Sequence, residues 1–317
     1  MLRVGMLTSG GDCQALNATM RGVAKSLYKS DKDVEIIGFL EGYKGLMYEE
    51  YRVMKPSDFS GILTTGGTML GTSRQPFKLM REPDANGMDK VEAMKSTYKK
   101  LKLDCLVVLG GNGSQKTANL LSEEGLNVIG LPKTIDNDLY GTDMTFGFQS
   151  AMEIATNAID CIHTTAASHS RVFIVEVMGH KVGWLTLYAG LAGGADIILI
   201  PEIPYDIKKV AEAIKIREKE GKKFTILAVA EGAISKEDAA LSKKELKKDC
   251  TDKDLFHIKL SLINGDQWFA LSKYKFKKEE AIKLASLFIG LTKHQAERVW
   301  ISKKLGDLNT NILSHSY

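Results

Sequence analysis

The chain has 317 residues, 44% of them hydrophobic and 26% charged, and its formal net charge is +4. That length can bury a sizeable core and accommodate two domains, while so mild a charge argues against a nucleic-acid partner. No apolar run approaches a membrane span, and the N-terminus lacks the basic-then-apolar pattern of a secretory signal. The reading is a cytoplasmic protein with no membrane partner. Cys13, Cys105, Cys161 and Cys250 are scattered without a C-x-x-C pair or a histidine cluster beside them, which speaks for reduced thiols and against a structural zinc site.

Residues 4–7 form an apolar run leading into Thr8-Ser-Gly-Gly-Asp12, after which residues 17–30 have helical spacing. Strand, glycine loop and helix in succession aim backbone N–H groups at an anion, since glycine permits close approach and the helix N-terminus adds partial positive charge. A plain tight turn fits a glycine pair equally well. Residues 34–39 read as the next strand. Thr64-Thr-Gly-Gly-Thr-Met-Leu-Gly-Thr-Ser-Arg74 then offers hydroxyls, backbone amides and a guanidinium, a set that suits polyphosphate. A surface loop is the alternative there. Residues 93–101 read as an amphipathic helix with lysines outward. Residues 103–109 form a third apolar run, which meets Gly110-Gly-Asn-Gly-Ser114 and then a helix over 115–124.

A fourth apolar run, 126–131, ends at Pro132, which has no N–H to donate to a ladder. The chain then reads Lys133-Thr-Ile-Asp-Asn-Asp138. In an extended backbone Asp136 and Asp138 share a side while Asn137 points away. Adjacent carboxylates repel, a cost tolerated when a cation or a substrate hydroxyl lies between them. An Asp/Asn-rich turn is the plain alternative. Strands that repeatedly deliver polar or glycine loops from their C-terminal ends make a doubly wound α/β sheet, whose ligands bind in the crevice outside those ends.

Residues 146–164 read as a long helix, with His163 and His169 as solvated side chains rather than metal ligands. Strands at 172–177, 197–200 and 224–230, a helix at 207–218, and the loops at Met178-Gly-His180 and Glu231-Gly232 continue the alternation. From about residue 149 this is a second α/β domain facing the first across a cleft. Residues 235–248 are a charged, solvated stretch. The alternation stops at Asp249, and helices at 277–291 and 292–305 make 249–317 an atypical helical, Lys-rich tail.

Thr8-Ser-Gly-Gly-Asp12, Gly66-Gly-Thr-x-Leu-Gly71 with Arg74, Gly110-Gly-Asn-Gly-Ser114, Pro132-Lys-Thr-Ile-Asp-Asn-Asp138 and Val175-Glu-Val-Met-Gly179 occur in the order and spacing of the 6-phosphofructokinase family. The chain resembles that family from its start to about Lys248. The resemblance implies two Rossmann-like domains, 1–148 for the donor and 149–248 for the sugar phosphate. It also implies phosphoryl transfer from ATP to the 1-hydroxyl of fructose 6-phosphate with Mg²⁺, in a dimer or tetramer. Carried over position by position, Asp136 resembles the general base, with Thr134 and Asp138 beside it at the transfer site. Gly11, Arg74, Gln75, Gly111, Asn112, Gly113 and Ser114 resemble the donor-binding set. Thr134, Ile135, Asp136, Met178, Gly179, His180 and Glu231 resemble sugar-phosphate contacts, and Arg171 the arginine that reaches the 6-phosphate across a subunit interface. Arg21 and Lys25 stand at positions resembling an effector site, where ordinary solvated charges are the alternative.

Within the family, a small residue at position 113 goes with ATP and an aspartate with pyrophosphate. Lys133 is usual in pyrophosphate users, although a subgroup combines such a lysine with a small residue and uses ATP. The expected donor is therefore ATP, with pyrophosphate as the alternative. Asn112 replaces a common aspartate near the metal, so any contact with Mg²⁺ there is weaker. His180 replaces a common arginine. The family motif Gly-His-x-Gln-Arg-Gly-Gly does not occur after residue 248. A non-catalytic homologue that keeps the binding cleft is accordingly a further alternative.

Overall fold

The computed structural model describes residues 1–30, 33–240 and three later strands at Leu255–Leu260, Phe269–Lys277 and Ile301–Ser302. The chain divides into two compact units, Met1–Ala151 and Met152–Tyr317. The first contains β1 (Leu2–Ser9), α1 (Leu16–Tyr28), β2 (Val34–Phe39), α2 (Tyr43–Tyr48), β3 (Tyr51–Met54), α3 (Lys90–Lys100), β4 (Cys105–Gly110), α4 (Asn112–Glu123), β5 (Val128–Thr134) and β6 (Phe146–Gly147). Its sheet is ordered β3-β2-β1-β4-β5-β6. All neighbours are parallel except β3, which closes one edge antiparallel to β2. Nothing in the sequence marked β3, because only Met54 of its four residues is buried and no apolar alternation survives.

Both faces of this sheet are covered. Successive strand residues point to opposite sides, so Met6, Ile36 and Val107 pack with Leu16, Met20 and Ala24 of α1. Their neighbours Leu7, Ile37 and Val108 pack with Tyr43, Met94 and Leu121 on the other side. Two-sided burial is why β4 reads as an unbroken apolar run, with all six of its residues buried. Each such aliphatic side chain contributes roughly 1.5–3 kcal/mol relative to exposure.

Two expectations about the loop after β5 need correction. The β4–β5 ladder does stop at the pair Gly110 and Pro132, but β5 runs on to Thr134. It takes β6 as a new partner through Lys133 with Phe146 and Thr134 with Gly147. Proline removes one donor, yet its fixed φ suits an extended chain, so the strand survives on its other edge. Beyond it, Asn137 has φ 55°. A left-handed residue breaks the extended geometry, so the alternation that was to put Asp136 and Asp138 on one side does not apply.

The second unit contains β7 (Val172–Val177), α6 (Trp184–Ala192), β8 (Ile197–Leu199), α7 (Ile207–Lys219), β9 (Thr225–Ala230) and α8 (Lys236–Ala240), with most of α5 (Phe148–His169) before them. Its parallel sheet is ordered β7-β9-β8. Leu227 and Val229 of β9 pack with Val210 and Ile214 of α7. Ile226 and Ala228 pack with Ile159 and Ala166 of α5 and Ala189 of α6. His163 is not a solvated side chain: it lies within α5, Nε2 is 2.7 Å from the Gly193 carbonyl, and its ring meets Phe224 edge-on. His169 is exposed as expected.

Three strands come next, β10 (Leu255–Leu260), β11 (Phe269–Lys277) and β12 (Ile301–Ser302), with β10 antiparallel to both others. The helices expected at 277–291 and 292–305 lie outside the described residues, apart from Lys277, Ile301 and Ser302, which are strand. Lys273-Tyr-Lys-Phe-Lys277 alternates with the period of a strand, a signal that the lysine content masked. Of the charged stretch 235–248, α8 is exposed and 241–248 lie outside the described residues.

Candidate active site

In the first unit β1 connects toward β2 and β4 toward β5, so the sheet order reverses between β1 and β4. The gap beyond the C-terminal ends of those two strands, where Ser9 faces Gly110, is where such a sheet receives a ligand. α4 starts at Asn112, directly after Gly111, and no side chain caps it. Asn112, Gly113 and Ser114 thus form its first turn rather than the loop expected from the sequence, and their N–H groups are available to an anion. Gly110 makes that early start possible, because a Cβ there would stand 2.3 Å from Ser114 Cβ. Ser114 Oγ donates to Ser9 Oγ at 2.9 Å, tying the two strand ends together. Gln115 Nε2 donates to the carbonyls of Gly110 (3.0 Å) and Leu131 (2.9 Å), which fixes the ends of β4 and β5. The Tyr43 hydroxyl donates to Ser114 O at 2.8 Å.

The glycine- and threonine-rich segment 64–74 folds over the end of β1. Thr8 Oγ1 donates to Gly71 O and lies 2.8 Å from Thr68 Oγ1. Thr72 Oγ1 donates to Gly10 O at 2.6 Å, and Gly10 N donates to Ser73 O. Arg74 comes after these anchors and is exposed, while Gln75 is half-buried.

Lys133 enters from the third side. It is 4% exposed, and its Nζ donates to the carbonyl of Gly11. A Cβ built on Gly10 would lie 3.7 Å from that nitrogen and 3.9 Å from Ser114 Oγ, so all three loops meet at one point. Burial pulls the ammonium below the usual lysine range, opposed by the nearby Cys13, Asp12 and Asp136. Its charge in turn offsets part of the repulsion between those carboxylates. Cys13 Sγ donates to Phe146 O at 3.6 Å, and burial raises the thiol's pKa. Asp136 is half-buried, and its backbone N–H donates to Thr134 Oγ1 at 3.1 Å. Asn137 accepts from Thr145 N at 2.9 Å, and Thr145 Oγ1 donates to Thr134 O at 2.8 Å, which fixes the turn carrying Asp136 and Asp138. Ile135 packs on the α1-side core.

Among the described residues no group of three or more His, Cys, Asp or Glu could hold a metal alone. Mg²⁺ needs only one or two carboxylates when a nucleotide supplies the other oxygens. Asp12 and Asp136 both act on Lys133, and exposed Asn112 adds a neutral amide oxygen. Hard oxygen donors of this kind fit an ion that arrives with phosphate, not an all-protein cage.

In the second unit, Glu231 Oε1 accepts from Gly179 N (3.2 Å) and His180 N (2.7 Å), which fixes the turn after β7 against the end of β9. His180 has φ 53°. Met178 and His180 are exposed. Arg171 precedes β7, a six-residue strand, at its opposite end, so the structure does not bring it to Met178, Gly179 and Glu231. Arg21 Nη1 donates to Phe59 O, which commits that guanidinium to packing, whereas Lys25 is exposed on the same helix.

The family model described as Phosphofructokinase matches residues 3–264. The chain belongs to the phosphofructokinase family. The match extends beyond residue 248, where the motif resemblance stops. An ATP-dependent 6-phosphofructokinase of Spirochaeta thermophila is 59% identical over 247 residues, 76% of this chain and 66% of that protein. One of Propionibacterium freudenreichii subsp. shermanii is 52% identical over 239 residues, 75% of this chain and 64% of the relative. The chain therefore spans about two thirds of the length of these curated relatives. Among solved structures, phosphofructokinase from Saccharomyces cerevisiae superimposes with a TM-score of 0.66 at 32% identity, covering 78% of this chain and 36% of that one.

Two side chains of the candidate site in this phosphofructokinase-family chain were not singled out by the sequence reading: Asn17 and Gln115. Gln115 is an ordinary polar residue whose partner Leu131 lies 16 residues away, and nothing local distinguishes it. Asn17 did carry a signal. It stands on the apolar stripe of α1 with Leu16, Met20 and Ala24, all buried, and a buried carboxamide must find partners.

Proposed function

We propose that this chain transfers the γ-phosphoryl group of ATP to the 1-hydroxyl of fructose 6-phosphate, giving fructose 1,6-bisphosphate, as the names of its relatives suggest. The observation that carries the reading is the junction of Lys133, Gly10, Gly11 and Ser114 at the uncapped start of α4, with Asp136 close enough to Lys133 to act on its charge. Phosphoryl transfer asks a protein chiefly for positioning and charge stabilisation. The amides of Gly11, Gly111, Gly113 and Ser114, with Arg74 and Gln75, receive the triphosphate. Asp136 takes the proton from the sugar hydroxyl, and Thr134 and Asp138 hold the reacting groups in line. Asp12 and the Asn112 amide would hold Mg²⁺, which would neutralise phosphate charge when bound. Met178, Gly179, His180 and Glu231 receive fructose 6-phosphate. Arg171 serves the sugar site of a second subunit in a homo-oligomer.

Two observations favour ATP over pyrophosphate. Nothing lies within 4 Å of a Cβ built on Gly113, so the helix start leaves room for a nucleotide. The Lys133 ammonium is spent on Gly11 O instead of facing the donor. No helix among the described residues is long and apolar enough to cross a membrane, and we place the protein in cytoplasmic glycolysis.

The test is a coupled assay with fructose 6-phosphate, Mg²⁺ and either ATP or pyrophosphate. Turnover with ATP, lowered about 10²- to 10⁴-fold in Asp136→Ala at unchanged ATP affinity, is the expected result. Turnover with pyrophosphate alone refutes the donor assignment. ATP binding without turnover by either donor refutes the enzyme and leaves the non-catalytic homologue.

A further inference from the structure

We infer that Asn17 is a positioning residue for nucleotide binding, holding the near half of the 64–74 loop in the shape that receives the donor phosphates. The inference rests on the phosphoryl-transfer reading above. Asn17 is 1% exposed. Its Nδ2 donates to Thr65 O at 2.9 Å and to Gly66 O at 3.2 Å, while its Oδ1 accepts from Met69 N at 2.9 Å. Both amide hydrogens and the carbonyl are therefore used on one loop.

Residues 64–74 form no helix or strand, so those backbone groups have no ladder to join, and each would otherwise need water or go unpaired. A single carboxamide takes the place of secondary structure. Its own position is rigid, because Leu16, Met20 and Ala24 on the same face of α1 are fully buried in the core. The far half of the loop is pinned separately, by Thr8 to Gly71 O and by Gly10 to Thr72 and Ser73. Without Asn17, the near half keeps two side-chain anchors, Gln14 Nε2 to Thr64 O at 3.2 Å and Thr8 Oγ1 with Thr68 Oγ1 at 2.8 Å, and the backbone groups of Thr65, Gly66 and Met69 lose theirs. The loop then has to be ordered by the ligand, and that cost appears as lost affinity for the donor. An apolar residue of similar size fills the space but leaves two carbonyls and one N–H unsatisfied.

The experiment is calorimetric titration of wild type and Asn17→Ala with ATP and, separately, with fructose 6-phosphate, alongside hydrogen exchange of the 64–74 peptide. ATP affinity is expected to fall about tenfold or more, roughly the loss of one to three neutral hydrogen bonds. Fructose 6-phosphate affinity is expected to stay within about twofold, and protection of the Met69 amide to disappear. A variant that melts earlier yet binds ATP like wild type reduces Asn17 to a stability role and overturns the inference. Equal weakening of both ligands overturns it too. If the variant does not fold, wild type alone decides: ATP must slow exchange across residues 64–74, and unchanged exchange overturns the inference. Failure of wild type to bind ATP at all is a different outcome, in which the phosphoryl-transfer reading falls first.

Discussion

Two glycines on either side of the junction between β4 and α4 are open to opposite tests. A Cβ on Gly110 would stand 2.3 Å from Ser114 Cβ and 2.7 Å from Ser114 Oγ. Carbon atoms rest at about 3.5–4.0 Å, so Gly110→Ala forces the first turn of α4 outward by more than an ångström. That movement strains the 2.9 Å bond from Ser114 to Ser9 and the 2.8 Å bond from Tyr43 to Ser114 O. Overpacking of this kind costs about 1–3 kcal/mol, and each kcal/mol lowers Tm by about 2–4 °C in a unit of this size. Gly113 has nothing within 4 Å of the same point. An aspartate there sits in the first helical turn, where the helix dipole favours it by about 0.3–1 kcal/mol. Gly113→Asp should therefore melt no earlier than wild type. Under the proposed donor binding its cost falls on the ligand, because the new carboxylate then faces the nucleotide phosphates. Like charges about 4 Å apart repel by about 4 kcal/mol at an effective dielectric near 20. Allowing for screening and relaxation, ATP affinity should drop about 100-fold or more. Thermal melts and ATP titrations on both variants decide the matter. If Gly113→Asp loses Tm as Gly110→Ala does, the open space is not real. If it binds ATP unimpaired, the start of α4 does not face the donor.

Lys133 gives a pH signature. Burial lowers its pKa in the folded state, so the unfolded chain holds the proton more tightly, and stability rises with pH between the folded pKa and the ordinary 10.5. Lys133→Met removes that titration. Urea midpoints from neutral pH toward 10.5 should show wild type gaining on the variant, and a constant difference would contradict burial as the cause. Arg21→Ala should cost about 1–3 kcal/mol, because its guanidinium bonds Phe59 O between α1 and the turn at Pro56–Phe59. Lys25→Ala, on an exposed position, should stay within about 0.5 kcal/mol. Equal effects in urea would show that Arg21 is a solvated charge after all.

The sequence by itself determined β1, β2, β4 and β5 of the first unit and the glycine loops behind β1 and β4. A strand buried on both faces, such as β4, must be apolar throughout, and a chain that passes from such a strand directly into a helix needs residues without bulk at the junction. Those are local demands, and local composition shows them. The tertiary structure alone decided where α4 starts, that Lys133 bonds Gly11, and that Asn137 turns the chain out of the extended form between Asp136 and Asp138. Each depends on a partner beyond the local run of residues: Ser9 for Ser114 and Gly11 for Lys133, both more than 100 residues away, and Thr145 across the turn for Asn137. β3 and the strands at 255–277 escaped for a related reason. An edge strand such as β3, with one buried residue in four, shows no apolar face in its sequence, and the lysines of β11 mask its alternation, so pairing, not composition, defines them. Hydrogen bonds between segments leave no periodic mark in the chain, because the groups that form them are common polar residues until the fold brings their partners within reach.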